Sequence, residues 1–214
     1  MDEHTGGAGL DALINNAGVA VSWPLELVPV DLFRQQLEVN VTGQLAVIQA
    51  FLPAVRHARG TIVVVGSVGG RITLPFRFAG PLNASKSAVA ALAGSPRQEV
   101  APSGVTVVLV EPGSIRTEAV DKLEQDARAA LAAFPPQGRA LYGQPYTATT
   151  QAALRRERHG SAPSVVADVI ARAIHAPHPP ARLLVGTDAR LLAAAARLPT
   201  RLLDALRLKA LGLR

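Results

Sequence analysis

The sequence predicts an α/β protein built on a parallel β-sheet with helices on both faces. Three observations lead to this class. Short apolar segments alternate with longer stretches of helical periodicity, two of those segments are β-branched runs of the type buried on both sides of a sheet, and each closes on a turn rich in Gly, Asn or Pro.

The first strand is expected at Leu10 to Asn15, ending in the turn Asn15-Asn16-Ala17-Gly18. From Asp31 to Ala58, Phe33, Leu37, Val41, Leu45, Ile48, Leu52 and Val55 recur at steps of three and four, which predicts a helix stopped by Gly60. Thr61-Ile62-Val63-Val64-Val65 predicts a buried strand, and a glycine-rich turn and loop follow through Pro81. Asn83 to about Val100 has a helical pattern with Pro96 inside it. Proline removes a backbone donor and costs roughly 3 kcal/mol in a helix interior, so a kink or early break is expected there.

Val105 to Val110 predicts another buried strand, closed by Glu111-Pro112-Gly113. Residues 114–162 have weak periodicity and several Pro, Gly and Thr residues, which reads as a long lid-like excursion with short helices. Ser164 to His175 predicts a helix with Ser164 as its N-cap, and Arg182 to Val185 a last strand. The expected organisation is one domain over residues 1–188 and an amphipathic basic tail over 189–214, interrupted at Pro199. The tail is expected to pack on the domain or on a twin subunit, the alternative being a helix in weak contact with a membrane surface.

Composition narrows the function classes. Hydrophobic residues make up 49% of the 214 and charged residues 18%, far from the signature of disorder. The absence of cysteine excludes disulfides, thiolate catalysis and Cys-based metal sites. The start Met1-Asp2-Glu3-His4 carries no signal-peptide pattern, and a cytoplasmic location is expected. The net charge of +6 comes largely from arginines near the carboxy terminus without an accompanying aromatic platform, so no nucleic-acid partner is expected. The five histidines form no helical metal pair, and no metal site is expected.

Several segments could carry chemistry. The Asn15-Asn16-Ala17-Gly18 turn follows a strand, and sheets of this class bind ligands beyond the carboxyl ends of their strands. Gly66-Ser67-Val68-Gly69-Gly70 has the glycine content of a phosphate loop, but Arg71-Ile72-Thr73-Leu74-Pro75 follows where a helix should start. A nucleophile elbow needs glycine two before the serine, and Val65 stands there. Lys86 falls in the first turns of an apolar helix, where a solvent-facing lysine is the ordinary reading.

Taken in order and spacing, these segments resemble the short-chain dehydrogenase/reductase family over nearly the whole chain, from Gly9 to Arg214. Leu10 to Gly18 is similar to the family's fourth strand and its Asn-Asn-Ala-Gly turn, Glu38-Val39-Asn40-Val41 to the segment of its helix asparagine, and Val65-Gly66-Ser67 to its catalytic serine strand. Asn83-Ala84-Ser85-Lys86 is similar to the lysine half of the Tyr-x-x-x-Lys motif, and Val110-Glu111-Pro112-Gly113 with Thr117 to the loop on the nicotinamide side. The resemblance implies a Rossmann-like sheet and hydride transfer between NAD or NADP and an alcohol or carbonyl carbon of a small molecule. It implies catalytic roles for Ser67, which would hold the substrate oxygen, for Lys86, which would stabilise a phenolate and bind the ribose, and for Asn40, which would hold a relay water. It implies cofactor contacts from Asn15, Ala17, Gly18, Lys86, Pro112, Gly113 and Thr117, and a homo-oligomer.

Two departures accompany the resemblance. Leu82 stands where the family's tyrosine belongs, and Ser67 lies two residues farther from it than usual, as though Phe78-Ala79 were inserted. The chain also begins after the family's first strands and glycine-rich turn, which leaves the Leu10 to Ile14 strand with an open edge. The expectation is therefore an oxidoreductase by family whose turnover is lost or impaired. The alternatives are a catalytically dead partner or scaffold subunit, and a decaying gene product.

Overall fold

The computed structural model describes residues 6–71, 77–199 and 201–205. Four parallel strands form one sheet in sequential order: β1 (Ala12–Asn15), β2 (Thr61–Val65), β3 (Thr106–Pro112) and β4 (Arg182–Val185). All five residues of β2 are buried, because each face of the strand has its own cover. Ile62 and Val64 join Val107 and Leu109 in one apolar cluster, while Val63 and Val65 join Val108 and Val110 in another. Two-sided burial is the reason β2 and β3 are continuous Val/Ile/Leu runs with no polar alternation.

The helix expected from Asp31 to Ala58 is a single rod of three pieces: α1 (Val30–Leu37), a π turn (Glu38–Thr42) and α2 (Gly43–Ala58). Its Ile48 and Val55 cover the first face of the sheet, together with Val89, Ala93 and Val100 of α3 (Gly80–Val100). Arg59, with φ 53°, makes the left-handed exit before Gly60. The turn Val68–Gly70 is 3-10 and packs on α3.

α3 runs through Pro96, so the break expected there is absent. Val89, Ala93 and Val100, on both sides of the proline, are anchored in the core, and burial of their side chains outweighs one missing hydrogen bond.

Residues 114–162, expected as an excursion with short helices, form two long ones, α4 (Ala119–Ala133) and α5 (Pro136–Arg158). The buried residues of α5 include Gly138, Gly143 and Thr149, so its inner face is marked by small size and carries no hydrophobic period. With Phe134, Tyr146, Trp23 and Phe78, these helices build a third, aromatic cluster. α6 (Pro163–His175) covers the second sheet face with Val166, Val169, Ile170 and Ala173. Its cap is Ala162, not Ser164, because Pro163 takes the first helical position, where its missing N–H costs nothing. The tail begins with α7 (Ala189–Ala195) and has a further helical stretch at 201–205. The remainder of the expected tail, the loop segment 72–76 and the first five residues lie outside the described residues.

The sheet is open at β1, which pairs only with β2 among the described residues, and Ile14 stays 48% exposed there.

Candidate active site

The site forms where the helical rod faces the chain leaving β1. Gln36, Asn40 and Gln44 recur every fourth residue on one face of that rod, and all three are buried. Gln36 Oε1 accepts from the Val21 N–H. Asn40 Oδ1 accepts from Val19 N–H at 2.7 Å and its Nδ2 donates to the Val19 carbonyl at 2.8 Å. Gln44 Nε2 donates to the Ala17 carbonyl at 3.1 Å, and Asn15 Nδ2 donates to the Gln44 carbonyl at 2.9 Å.

The spacing explains the ladder. Four helical residues rise about 6 Å, and two residues of extended chain span about 6.6 Å. Amides at every fourth helix position therefore meet residues 17, 19 and 21 in turn, as a neighbouring strand would.

Ser85 ties this ladder to α3. Its hydroxyl, fully buried, accepts from Asn40 Nδ2 at 3.0 Å and Gln36 Nε2 at 3.2 Å and donates to the Leu82 carbonyl at 2.9 Å. Lys86 follows it and reaches the same point as Asn40. A Cβ placed on Gly18 would lie 3.3 Å from Asn40 Oδ1 and 3.5 Å from Lys86 Nζ, so a side chain there would fill the space beside both groups. Burial lowers the Lys86 ammonium below the ordinary lysine value. Among the described residues its Nζ makes no hydrogen bond or ion pair, which fits a group meant to meet a ligand.

Ser67 lies just past the end of β2 in extended conformation, and its Oγ accepts from the Gly69 N–H at 3.0 Å, capping the turn Val68–Gly70. The hydroxyl proton remains to donate elsewhere. That turn abuts the backbone of Lys86, so β2, Ser67 and Lys86 are held in fixed relation.

Pro112 and Gly113 end β3 on the same side of the sheet as Asn15 and Ser67, because all strands are parallel. The loop after them is clamped by two acids that sequence reasoning missed. Ser114 donates to Asp188 through its N–H at 3.1 Å and its Oγ at 2.9 Å, and Arg156 Nη2 reaches Asp188 Oδ2 at 2.5 Å. Asp188 lies so near the Gly113 Cα that an added Cβ would sit 2.0 Å from Oδ1. Burial by itself would raise the Asp188 carboxyl, but the bonds from Arg156 and Ser114 outweigh it and hold it below its ordinary value. Glu157 accepts from the Ile115 N–H at 3.2 Å, and burial raises its carboxyl above the usual range. Thr117 stands exposed on the same loop and makes no side-chain hydrogen bond among the described residues.

Leu82 sits one helical turn before Lys86, half-buried and without a proton to give. Both tyrosines are engaged elsewhere. Tyr146 is buried in the aromatic cluster, donates to the Ser22 carbonyl at 2.7 Å and is pushed up to about 12 by burial. Tyr142 donates to Glu26, which raises it as well. Phe78, one of the two extra residues, adopts φ 70°, costly for an aromatic side chain. Its carbonyl accepts from Trp23 N–H at 2.9 Å, and its ring packs on Tyr146 with centroids 5.5 Å apart.

Of the residues singled out in the sequence, Asn40, Gly18 and Lys86 converge directly. Ser67 is held against the Lys86 backbone by its turn, and Asn15 and Ala17 are held by Gln44. Gln36, Gln44 and Ser85 were missed, although three amides at steps of four in one helix were a readable signal.

The chain is similar to known proteins in sequence and in fold. The family model for the short chain dehydrogenases matches residues 2–128. Retinol dehydrogenase 5 of Mus musculus is 37% identical over 207 residues, spanning 94% of this chain and 64% of the relative. The 11-beta-hydroxysteroid dehydrogenase type 2 of Oryctolagus cuniculus is 38% identical over 147 residues, 67% of this chain and 36% of the relative. The chain therefore spans less than two thirds of the length of either relative. The crystal structure of a short chain dehydrogenase from Burkholderia cenocepacia J2315 in complex with NADP superposes with a TM-score of 0.66 at 28% identity, covering 93% of this chain and 69% of that one. On the family match, these identities and the common parallel sheet, this chain belongs to the short chain dehydrogenase family.

Proposed function

We propose that the chain forms the catalytic part of an NAD(P)-dependent oxidoreductase acting on an apolar alcohol or ketone, and that Leu82 impairs it at the proton-transfer step. The observation that carries this is the meeting of Asn40, Gly18 and the half-buried Lys86 ammonium beyond the carboxyl ends of the strands. The space kept open at Gly18 fits the nicotinamide end of a dinucleotide, with Asn15, Ala17, Gly18, Lys86, Pro112, Gly113 and Thr117 as the residues that would hold it. When bound, such a cofactor exchanges hydride with the substrate carbon.

The chain's own groups then have defined tasks. Ser67 holds the substrate oxygen by a hydrogen bond from its hydroxyl. Lys86, unpaired and desolvated, donates to ligand oxygens with more strength than an exposed ammonium. Asn40 fixes the chain at Val19 and keeps Gly18 against Lys86. The proton itself has no carrier at position 82, and loss of a positioned general acid slows a reaction by about 10²- to 10⁴-fold. The relatives named for retinol and 11-beta-hydroxysteroid support an apolar substrate, as does the aromatic cluster beside α3. A homo-oligomer in the cytoplasm belongs to the same proposal, with size-exclusion chromatography and cell fractionation as its tests.

Leu82→Tyr tests the catalytic reading. Nicotinamide absorbance is followed with NADH and with NADPH against alicyclic ketones. The variant is expected to gain about 10² to 10⁴ in rate over the parent chain. Equal rates in the two would refute the role given to Leu82, and no nicotinamide binding by either would refute the oxidoreductase reading of this chain.

Leu82 favours one second reading, a catalytically dead partner subunit. Co-elution with an intact family member, without nicotinamide binding by this chain, would select it.

A further inference from the structure

A cleft of about 430 Å³ opens where the turn Val68–Gly70, α3, β4 and α7 meet, and its walls are unlike those of the Lys86 centre. That volume lies within the range of small-ligand pockets. Arg71, Arg182 and Arg197 line it with the Ser87 hydroxyl, the rest of the wall being glycine and alanine, and no carboxylate among the described residues lines it.

Behind the wall sits Glu111, wholly buried. Arg71 binds its Oε2 through Nη2 at 2.5 Å and Nε at 2.7 Å. Arg182 binds Oε1 through Nη2 at 2.5 Å and Oε2 through Nε at 3.1 Å. One bidentate guanidinium is enough to satisfy a buried carboxylate. Here two share it, each through Nε and Nη2 only, so the pair keeps a surplus of positive charge and unused donors at the cleft. Arg197 adds a third cation, exposed, whose side chain makes no hydrogen bond or ion pair among the described residues. Glu111 thus fixes two guanidinium forks in advance, which lowers the entropy cost of binding a planar or tetrahedral oxyanion.

We propose that the Arg71–Arg182–Arg197 cleft is an anion-binding site for a ligand that presents a phosphate or carboxylate group. The inference does not rest on the oxidoreductase reading, since it uses none of Ser67, Lys86 or Asn40. The same anionic group can come from a free phosphorylated molecule or from the headgroup of an acidic lipid.

Two measurements on the 214-residue chain test the site. Calorimetric titration with inorganic pyrophosphate at constant ionic strength is expected to give saturable binding that Arg197→Ala weakens roughly 10- to 100-fold, the loss of one charge-assisted contact. Co-sedimentation with phosphatidylcholine vesicles, with and without phosphatidic acid, tests the lipid source with the same two proteins. Arg197-dependent binding in the first arm supports a free anion, and in the second arm alone a lipid headgroup. No binding in either arm, or binding that Arg197→Ala leaves unchanged, overturns the site. Unchanged thermal midpoints of the two proteins without ligand establish that Arg197→Ala is folded, and Arg71→Lys, which keeps charge but loses the fork, supplies a second variant expected to weaken pyrophosphate binding.

Discussion

Replacing Ser85 by alanine removes one oxygen from the junction between α3 and the amide ladder, and the structure sets the size of the effect. Gln36 Nε2 has its hydrogen bond at this hydroxyl and becomes a buried donor without an acceptor, at a cost of about 1–3 kcal/mol. Asn40 Nδ2 keeps the Val19 carbonyl at 2.8 Å and loses only a second partner, worth roughly 0.5–1.5 kcal/mol. The total is about 1.5–4.5 kcal/mol, which in a chain of this length lowers Tm by roughly 3–18 °C. Urea unfolding of the variant should move the midpoint with little change in slope. Amide exchange at Val19 and Val21 should quicken more than at β2, because the lesion frees the chain held by Asn40 and Gln36. Ser87→Ala is the control: Ser87 is exposed and reaches only the Gly70 carbonyl at 3.5 Å, so it should stay within about 0.5 kcal/mol of the parent. If Ser85→Ala were as stable as Ser87→Ala, Ser85 would not be the junction of the site.

Two further substitutions probe the buried charges. Lys86→Met should stabilise the chain at neutral pH. Burial lowers the folded lysine below its unfolded value of about 10.4, so the unfolded chain holds the proton more tightly. The parent therefore carries the full penalty below the folded value and sheds it as pH climbs to the unfolded one. Urea midpoints of the two proteins should converge near pH 10, and a parallel pair of curves would disprove the assignment. Glu111→Gln leaves Arg71 and Arg182 facing a neutral amide and should cost about 2–4 kcal/mol, at the lower side for a buried pair because Arg182 is 43% exposed. A loss under about 1 kcal/mol in urea unfolding would show that Glu111 does not organise these arginines.

The sheet was legible because its strands announce themselves locally. Thr61–Val65 and Arg182–Val185 have the bounds that their sequence predicts, since a β-branched or aliphatic run between turn residues has few other uses. The failures share a different cause. α5 was read as an excursion because its inner face is glycine and threonine beside Tyr146, so the period is one of size, which a hydrophobic count does not see. Pro96 was read as a break because propensity is local, whereas the anchors at Ala93 and Val100 are tertiary.

The site divides along the same line. Asn40 and Lys86 stand out through the family resemblance, but Gln36, Gln44 and Ser85 carry ordinary polar side chains that in sequence look solvent-facing. Their burial follows from what lies opposite. The chain leaving β1 does not pair with a strand there, and its N–H and C=O groups take the amides of the rod as partners instead. Asp188 shows this at longer range: 74 residues beyond Ser114, it closes the loop after β3 from the start of α7. The site is thus supported by polar residues whose partners are largely backbone groups, and such partners leave no mark in the sequence of either segment. A carboxylate or amide buried at the end of a parallel strand therefore reports the loop it holds more directly than any motif in that loop does.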